Sequence, residues 1–285
     1  MYTNWLFGKD KLPRKDSFKL TSWIFLMFFL VSACQRTEVP YLIAGRSDPG
    51  LLTSTSWQIQ YSGELDLDIE VDVFNLDLFD TSTEIIIELK ERGVFVICYF
   101  SAGSYEDWRP DAHKFPDDVL GYELEDWPGE RWLDIRQIPT LGPIIESRMD
   151  LAVEKGCDGV DPDNLDGYEN RTGFPLTGTD QIVFNTYLAQ AAHDRGLKIG
   201  LKNDLNQIQE LVDDFDWILN EECFTYQECD QLLPFLDDNK PVFVIEYGIT
   251  PADFCSQANR QGFSALHKNL DLDAYFTDCL KFSSQ

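Results

Sequence analysis

Short apolar runs alternate with longer amphipathic runs along most of this chain. Eight of the apolar runs have the length and the Val, Ile, Phe and Trp content typical of buried strands. They are Trp57–Tyr61, Val71–Leu76, Val94–Phe100, Gly159–Asp163, Lys198–Lys202, Trp217–Glu221, Val242–Tyr247 and Phe263–His267. Strands that alternate with helices indicate a parallel sheet with crossover helices. Eight of them predict an α/β fold, a (β/α)8 TIM barrel in a single domain.

Helical patterns lie between several of these strands. The predicted helices are Thr83–Arg92, Pro143–Lys155, Gln181–Arg195 and Leu205–Asp214. A glycine directly follows each of the first three, at Gly93, Gly156 and Gly196. This position is typical of a glycine that caps the C-terminal end of a helix.

The segment from Ser101 to Thr140 is too long to be a plain connection between two elements. It contains Trp108, Trp127 and Trp132, and long loops in compact domains are usually functional. Its run Trp132–Ile135 is a ninth strand candidate, which we place in a loop over the barrel mouth. The segment is therefore predicted to contribute to a binding site.

The N-terminus has the pattern of an export signal. Five basic residues lie between positions 9 and 19. They precede the apolar run Trp23–Val31, which is too short to cross a bilayer as a helix. Small residues then precede Cys34, as in a bacterial lipobox whose cysteine is lipid-modified and becomes the new N-terminus. The alternative is an ordinary signal cleaved nearby, with Cys34 left free. We favour the lipoprotein.

The predicted organisation is therefore a lipoprotein signal peptide over residues 1–33, a tether over residues 34–54 and the barrel over residues 55–285. Removal of the signal leaves 252 residues, a common size for a (β/α)8 barrel. An acyl anchor would hold this exported domain at a membrane, periplasmic or at the cell surface, without threading it through the bilayer. We expect a monomer.

Six cysteines remain after Cys34, and an even number in an exported protein predicts disulfides. Their spacing favours Cys223–Cys229 and Cys255–Cys279. Cys98 and Cys157 are then either a third pair or two buried thiols. The three histidines are far apart in the sequence, which argues against a His-based zinc site. No metal and no cofactor is predicted.

Acidic residues greatly outnumber basic ones. The chain has 50 Asp and Glu against 23 Lys and Arg, and 48 against 18 remain without the signal, a formal charge near −30. This balance argues against nucleic acid as a partner, because nucleic acid binding needs basic patches. It would attract a cationic partner. On charge alone, the plainer explanation of solubility or adaptation to salt is favoured.

Polar residues recur at the C-terminal ends of the predicted strands. If the strands close into a barrel, these side chains converge on one face. They include Asp77, Tyr99, Asp161, Asp163, Lys202, Asn203, Asp204, Glu221, Glu246 and Tyr247. The densest group follows the fourth strand, where Asn164 and Asp166 join Asp161 and Asp163. An Asp- and Asn-rich turn that simply ends a strand is the alternative for this group alone.

Carboxyl groups, amides and aromatic rings without a histidine cluster suit sugar hydrolysis. One carboxyl group must be protonated to donate to the leaving oxygen, and another must be ionised to attack the sugar or activate water. Trp and Tyr rings can stack on sugars, although ordinary packing is their commoner role. The sequence lacks a nucleophile elbow, a Walker loop and a dinucleotide-binding fingerprint.

At this point the sequence resembles a known family. Seven segments carry the likeness, which runs from about residue 55 to the C-terminus. They are Trp57–Tyr61, Cys98–Ser104, Glu130–Ile135, Gly159–Asn164, Leu201–Asp204, Asn220–Cys223 and Val244–Tyr247. They resemble the endo-α-1,4-polygalactosaminidase family, glycoside hydrolase family 114. The resemblance implies a (β/α)8 barrel that cleaves α-1,4-linked galactosamine polymers, such as galactosaminogalactan-type exopolysaccharides, with retention at the anomeric carbon.

The resemblance also implies the residues that act. The acidic pair falls on Asp163, as nucleophile, and Glu221, as general acid/base. Lys202 is expected to hold a carboxylate ionised, and Asp77, Asp161, Asp204 and Glu246 to attract the ammonium groups of the substrate. The family often has Glu where this chain has Asp161. Further substrate contacts are expected from Tyr99, Trp132, Asn164, Asn203 and Tyr247.

Two other hypotheses stay open from the sequence. The chain could be a non-catalytic polysaccharide-binding surface lipoprotein. It could also be a metal-dependent hydrolase with Asp161, Asp163 and Asp166 as calcium or magnesium ligands. The calcium loop of an EF-hand does not fit, because Leu165 and Asp166 would occupy positions five and six.

Overall fold

The structure is a computed structural model that describes residues 53–282. The predicted signal peptide, Cys34 and nearly all of the predicted tether lie outside the described residues. Within the described part, no helix is both long enough and apolar enough to pass through a bilayer.

Twelve strands occur in residues 53–282. They are β1 (Trp57–Gln60), β2 (Val73–Asp77), β3 (Phe95–Ser101), β4 (Ser104–Glu106), β5 (Leu120–Glu123), β6 (Glu130–Leu133), β7 (Gly159–Asp163), β8 (Lys198–Lys202), β9 (Trp217–Glu221), β10 (Val242–Glu246), β11 (Ser264–Lys268) and β12 (Phe276–Asp278). All eight predicted barrel strands are present, with ends shifted by no more than two residues.

Seven α-helices lie in the same part of the chain. They are α1 (Thr83–Glu91), α2 (Ile138–Lys155), α3 (Gly178–His193), α4 (Ile208–Leu211), α5 (Cys223–Tyr226), α6 (Leu233–Asp237) and α7 (Pro251–Gln261). The four predicted helices are present, but Leu205–Asp214 is only a short 3₁₀ turn followed by α4. The predicted caps Gly93, Gly156 and Gly196 all have positive φ.

The eight barrel strands form one parallel sheet. Its order is β1-β2-β3-β7-β8-β9-β10-β11, and β12 adds an antiparallel strand to β11. The sheet curls until its ends meet, since Trp57 Nε1 on β1 donates to the carbonyl of Ser264 on β11 at 2.9 Å. The backbone N–H of Tyr61 also donates to Leu272 O at 2.9 Å, just before β12. The predicted α/β barrel is confirmed.

Large aromatic side chains fill the N-terminal half of the barrel interior. The ring centroids of Trp57 and Phe243 are 4.7 Å apart, and Phe95 packs edge-on against Trp217. A Cβ atom on Gly200 would lie 2.0 Å from Trp217 Nε1, so only glycine fits opposite this indole ring. Because aromatic rings occupy this end, the cavity of the barrel lies at the other end.

The segment between β3 and α2 folds as a separate small sheet. Strands β4, β6 and β5 pair antiparallel in that order. The strand predicted at Trp132–Ile135 is β6, which begins two residues earlier. Buried ion pairs fasten the segment to the barrel, with Arg109 2.7 Å from Asp77 and Arg148 2.8 Å from Asp111.

Three disulfides link the six cysteines of the described chain. They are Cys98–Cys157, Cys223–Cys229 and Cys255–Cys279. The two pairs favoured by spacing are confirmed, and the two remaining cysteines form the third pair. Such bonds persist in oxidising compartments, in keeping with an exported protein.

Candidate active site

A cavity of about 1000 Å³ opens at the C-terminal ends of the barrel strands. In a parallel barrel, side chains from successive strands converge at this end. Eight residues predicted to bind or transform a substrate line it. They are Tyr99, Trp132, Asp163, Asn164, Lys202, Asn203, Glu221 and Tyr247. The fold thus brings together residues that are far apart in the sequence.

A buried lysine joins the two carboxyl groups predicted to be catalytic. Lys202, at the end of β8, has Nζ 3.1 Å from Oδ1 of Asp163 and 3.2 Å from Oε2 of Glu221. Asp163 ends β7 and Glu221 ends β9, the strands on either side of β8. One ammonium group therefore holds the two carboxyl groups near each other, and both remain partly exposed to the cavity.

The charge of Lys202 is fixed by its surroundings. Burial alone would lower the pKa of its ammonium group, but Asp163, Glu221 and Asp161 together raise that pKa well above its ordinary value. Lys202 is therefore a permanent cation across the physiological pH range. A permanent cation between two carboxyl groups attracts both of them and so holds them close together.

Two tyrosines complete the hydrogen bonding of the pair. Tyr99 Oη donates to Asp163 Oδ2 at 3.1 Å, and Tyr247 Oη donates to Glu221 Oε1. The backbone N–H of Asn164 donates to Asp163 Oδ1 at 2.8 Å. Burial raises the pKa of both phenols, and the neighbouring carboxylates raise it further. Both hydroxyl groups therefore stay protonated and able to donate.

Asn203 directly follows β8 and helps to position Glu221 at the end of the neighbouring strand β9. Its Oδ1 accepts the backbone N–H of Glu221 at 3.0 Å and Nδ2 of Asn220 at 3.2 Å. Its φ of 53° lies in the left-handed region, where Asn is tolerated better than most residues. Asn203 thus lines the cavity and also supports a predicted catalytic residue.

Asp161 is not exposed to the cavity. Its side chain is 0% exposed, and Asn75 Nδ2 donates to its Oδ2 at 2.8 Å. Burial raises the pKa of Asp161 to about 6, while Lys202 opposes the rise. The carboxyl group of Asp161 therefore lies away from the cavity surface, and its role in substrate binding stays a prediction. It lies beneath the cavity, where its charge helps to raise the pKa of Lys202.

Three further acids expected to attract the substrate also lie away from the cavity surface. Asp77 pairs with Arg109. Glu246 accepts the backbone N–H of Phe224 at 2.7 Å and so holds the turn after β9. Asp204 accepts Asn185 Nδ2 at 2.9 Å and is 1% exposed. Each is buried and bonded within the protein, so a role of these three acids in substrate binding stays a prediction.

Several cavity residues were not among those predicted to bind substrate. The segment between β3 and α2 provides nearly half of them, including Glu130 and the exposed rings of Tyr122 and Trp127. The length of this segment and its tryptophans were the available signals, but they did not specify which side chains would face the cavity. Arg171 also lines it, with its guanidinium 5.2 Å from the centre of the Tyr122 ring.

The carboxyl groups considered as metal ligands do not form a metal site. Throughout residues 53–282, no three His, Cys, Asp or Glu side chains are grouped so that they could hold a metal ion. Asp163 is instead bonded by Lys202 and Tyr99, and Asp161 by Asn75. These carboxyl groups are thus engaged by N–H and O–H donors.

The family model of glycoside-hydrolase family GH114 matches residues 44–283 of the chain. The chain belongs to glycoside-hydrolase family GH114. It is therefore a glycoside hydrolase, and the family resemblance found in the sequence is confirmed. No curated protein sequence matches it.

Solved structures agree with this membership of GH114. The crystal structure of Aspergillus fumigatus Ega3 in complex with galactosamine is 41% identical, with a TM-score of 0.78, over 82% of this chain and 98% of that one. The glycoside hydrolase domain of PelA from Pseudomonas aeruginosa is 16% identical, with a TM-score of 0.61, over 78% of this chain and 97% of that one. The second likeness concerns the fold alone.

Proposed function

We propose that this GH114 member hydrolyses α-1,4-linked galactosamine polymers, such as galactosaminogalactan-type exopolysaccharides, with retention at the anomeric carbon. The observation that carries the proposal is the pair Asp163 and Glu221, held by one buried ammonium group at the mouth of an acidic cavity. Asp163 is the nucleophile, and Glu221 is the general acid/base.

The nucleophile assignment follows from the donors around each carboxyl group. Asp163 accepts hydrogen bonds from Tyr99, Lys202 and the backbone N–H of Asn164, which suits a carboxylate that must stay ionised to attack carbon. Glu221 accepts from Tyr247 and Lys202 and is the more exposed of the two side chains. It can therefore exchange a proton with the leaving oxygen and with water.

The reaction has two steps. In the first, the Asp163 carboxylate attacks the anomeric carbon while protonated Glu221 gives its proton to the departing glycosidic oxygen, which leaves a glycosyl ester on Asp163. In the second, the Glu221 carboxylate takes a proton from water. The water oxygen attacks the anomeric carbon, and the Asp163 carboxylate departs. Two inversions give net retention.

The separation of the two carboxyl groups supports retention. Lys202 Nζ is 3.1 Å from Asp163 Oδ1 and 3.2 Å from Glu221 Oε2, so these two oxygens are at most about 6 Å apart. Retaining glycosidases hold their carboxyl groups about 5–5.5 Å apart, and inverting ones about 6.5–9.5 Å, because a water must fit between. The shared contact with Lys202 therefore favours direct attack by Asp163 over attack by an activated water.

The charge of the cavity supports a cationic polysaccharide as the partner. Its lining includes seven carboxyl groups but only two cationic side chains, of which Lys202 is already engaged. Galactosamine units carry ammonium groups at neutral pH, so such a cavity attracts their polymer. The 41% identical Ega3 has been crystallised in complex with galactosamine.

We also propose that the enzyme works as a lipid-anchored monomer outside the cytoplasm. Cys34 would carry the lipid, and the disulfides of the barrel suit an oxidising compartment. Expression of the full chain and of Cys34→Ala in a bacterial host tests the anchor by membrane fractionation. The unchanged chain should sediment with membranes and Cys34→Ala should not. Equal sedimentation would contradict lipid modification at Cys34.

Two isosteric variants test the catalytic assignment. Asp163→Asn and Glu221→Gln should each lower cleavage of de-N-acetylated α-1,4-galactosaminan by about 10³-fold or more, because each removes a group that reacts. Cleavage is measured by an assay of new reducing ends and by mass spectrometry of the products, and circular dichroism checks the fold. Near-normal activity in both variants would contradict the assignment. Polymer binding without any new reducing ends from the unchanged chain would favour the non-catalytic binding protein instead.

A further inference from the structure

Glu130 is a cavity residue that the proposed reaction does not use. It begins β6, its residue is 7% exposed, and its side chain lines the cavity. Ser104 Oγ donates to Oε1, and Asn164 Nδ2 approaches the same oxygen at 3.4 Å. These two neutral donors leave the negative charge of Glu130 without a cation.

The carboxyl group of Glu130 has no cationic partner at contact distance within residues 53–282. In residues 53–282, no Lys, Arg or His makes an ion pair with Glu130. The nearby guanidinium of Arg109 is engaged by Asp77 and Glu106. Carboxyl groups that are nearly buried normally have a charged partner. In this cavity, the missing partner can be part of the substrate.

Glu130 lies on the Asp163 side of the catalytic pair. Asn164, the residue after Asp163, contacts Glu130. Tyr99 donates to Asp163 and is also close enough to Glu130 for the charge of that carboxyl group to raise its pKa. Glu221 lies across Lys202 from Asp163. Glu130 therefore neighbours Asp163 through Asn164 and Tyr99, whereas Glu221 neighbours it through Lys202.

This arrangement places Glu130 near one substituent of the sugar. When Asp163 attacks C1, the leaving oxygen points to Glu221, and the other neighbours of C1 are the ring oxygen and C2. A carboxylate repels the lone pairs of the ring oxygen and attracts a cation. The group that suits Glu130 is therefore the ammonium on C2.

We infer that Glu130 binds the C2 ammonium group of the galactosamine unit that Asp163 attacks, and so selects de-N-acetylated units over acetylated or neutral ones. An acetamide at C2 has no charge to pair with the carboxylate and adds volume in a buried position. The inference rests on the proposed function and adds the residue that distinguishes its substrate.

The ionisation of Glu130 gives the inference a pH signature. Its pKa is raised to about 7, chiefly by burial and also by Asp163 and Glu106, while Ser104 and Arg109 oppose the rise. Below that pH Glu130 is mostly protonated in the free enzyme and attracts an ammonium group less. The amine of galactosamine stays protonated below that pH. A loss of affinity there is therefore due to protonation of the protein and not to a change in the sugar.

Binding of monosaccharides tests the inference without requiring cleavage. Titrations of D-galactosamine and D-galactose, followed by calorimetry or NMR, would compare the unchanged chain with Glu130→Gln and Glu130→Asp. Glu130→Gln keeps an oxygen that can accept from Ser104. It should lose about tenfold or more in galactosamine affinity and less than twofold in galactose affinity. Glu130→Asp keeps the charge and should recover part of the loss.

The control variant is Glu154→Gln, which removes one exposed carboxyl group on α2. It should bind both sugars as the unchanged chain does. Galactosamine affinity of the unchanged chain should fall between pH 7.5 and pH 5.5, and this fall should be weaker in Glu130→Gln. An unchanged ratio of the two affinities in Glu130→Gln would overturn the inference, even if Asp163 and Glu221 prove catalytic. Loss of cleavage alone would instead concern the proposed function.

Discussion

At the scale of single residues, Lys202 is the side chain on which the site depends most. It is buried, it contacts Asp163 and Glu221, and nearby carboxylates keep it charged. Sequence reasoning identified it as a partner of one carboxylate. Its contact with both could not be read from the sequence, because that contact depends on the spacing of three strands in a curved sheet.

Replacement of this lysine tests its role. Lys202→Met keeps the length of the side chain but removes the ammonium group, which leaves the two carboxyl groups to repel each other. We expect kcat/KM on galactosaminan to fall about 100-fold or more. The exposed residue Lys114 provides the control Lys114→Met, and equal activity of both variants would contradict this role.

Asp204 provides a residue-scale test of stability. Burial raises its pKa to about 8, with further contributions from Asp166 and Glu169. The folded protein therefore binds more protons at this site than the unfolded chain between about pH 4 and pH 8. Because stability falls with pH wherever the folded state binds more protons, the free energy of unfolding should fall as pH rises through this window.

Asp204→Asn removes this titration. The variant should be more stable than the unchanged chain by about 2 kcal/mol at pH 8 and should lose that advantage near pH 5. Asn also suits the φ of 49° at this position. Urea unfolding at both pH values measures the difference, and the exposed substitution Asp213→Asn is the control. A stability difference that does not change with pH would contradict the assigned titration.

At the scale of elements, the small β4-β6-β5 sheet shapes the cavity by packing on the end of β7. The backbone N–H groups of Ala102 and Gly103 both donate to Asp163 O at 3.0 Å. A Cβ atom on Gly103 would lie 1.7 Å from the carbonyl oxygen of Asn164. The turn between β3 and β4 therefore fixes the backbone of Asp163, the proposed nucleophile.

Gly103→Ala should displace that backbone. A shift of about 1 Å in a reacting group can lower activity about 100-fold, so we expect a loss of this order in kcat/KM with the fold retained. Gly248→Ala is a matched control, because a Cβ atom there meets nothing within 4 Å. Activity assays and circular dichroism measure both variants. Full activity of Gly103→Ala would show that the turn does not position Asp163.

The strands were the best predicted elements, for a physical reason. Each strand is a short, buried apolar run that ends abruptly in polar residues. Its type and its ends can therefore be predicted from neighbouring residues alone. Helix α7 was missed, although Thr250 and Asp253 form a capping box before its buried face. The antiparallel sheet was missed because only Trp132–Ile135 reads as a strand, and its pairing with β4 and β5 depends on tertiary contacts.

At the scale of the whole molecule, the dominant property is charge. The formal charge of the chain is −27, and seven carboxyl groups line the cavity. Most of the acids expected to bind the substrate lie away from the cavity surface, because a strand-end position does not reveal whether a carboxyl group faces the cavity or a buried partner. The sign of the cavity charge was nevertheless predictable from composition.

This charge predicts a strong dependence of polymer binding on salt. The Debye length falls from about 30 Å at 0.01 M salt to about 8 Å at 0.15 M, which screens attraction between the cleft and a polycation. We expect KM for long galactosaminan to rise several-fold over this range while kcat stays nearly constant. Galactosamine trisaccharides should show a smaller change. A salt-independent KM for the long polymer would contradict electrostatic capture.

The central claim is that Asp163 attacks the sugar while Glu221 transfers the proton. Mass spectrometry of a trapped glycosyl-enzyme tests it most directly, with a fluorinated α-galactosaminyl substrate that loads the nucleophile quickly and hydrolyses slowly. We expect one added galactosaminyl unit on the peptide that contains Asp163, and none in Asp163→Asn. An adduct on Glu221, or turnover with inverted product and no adduct, would contradict it.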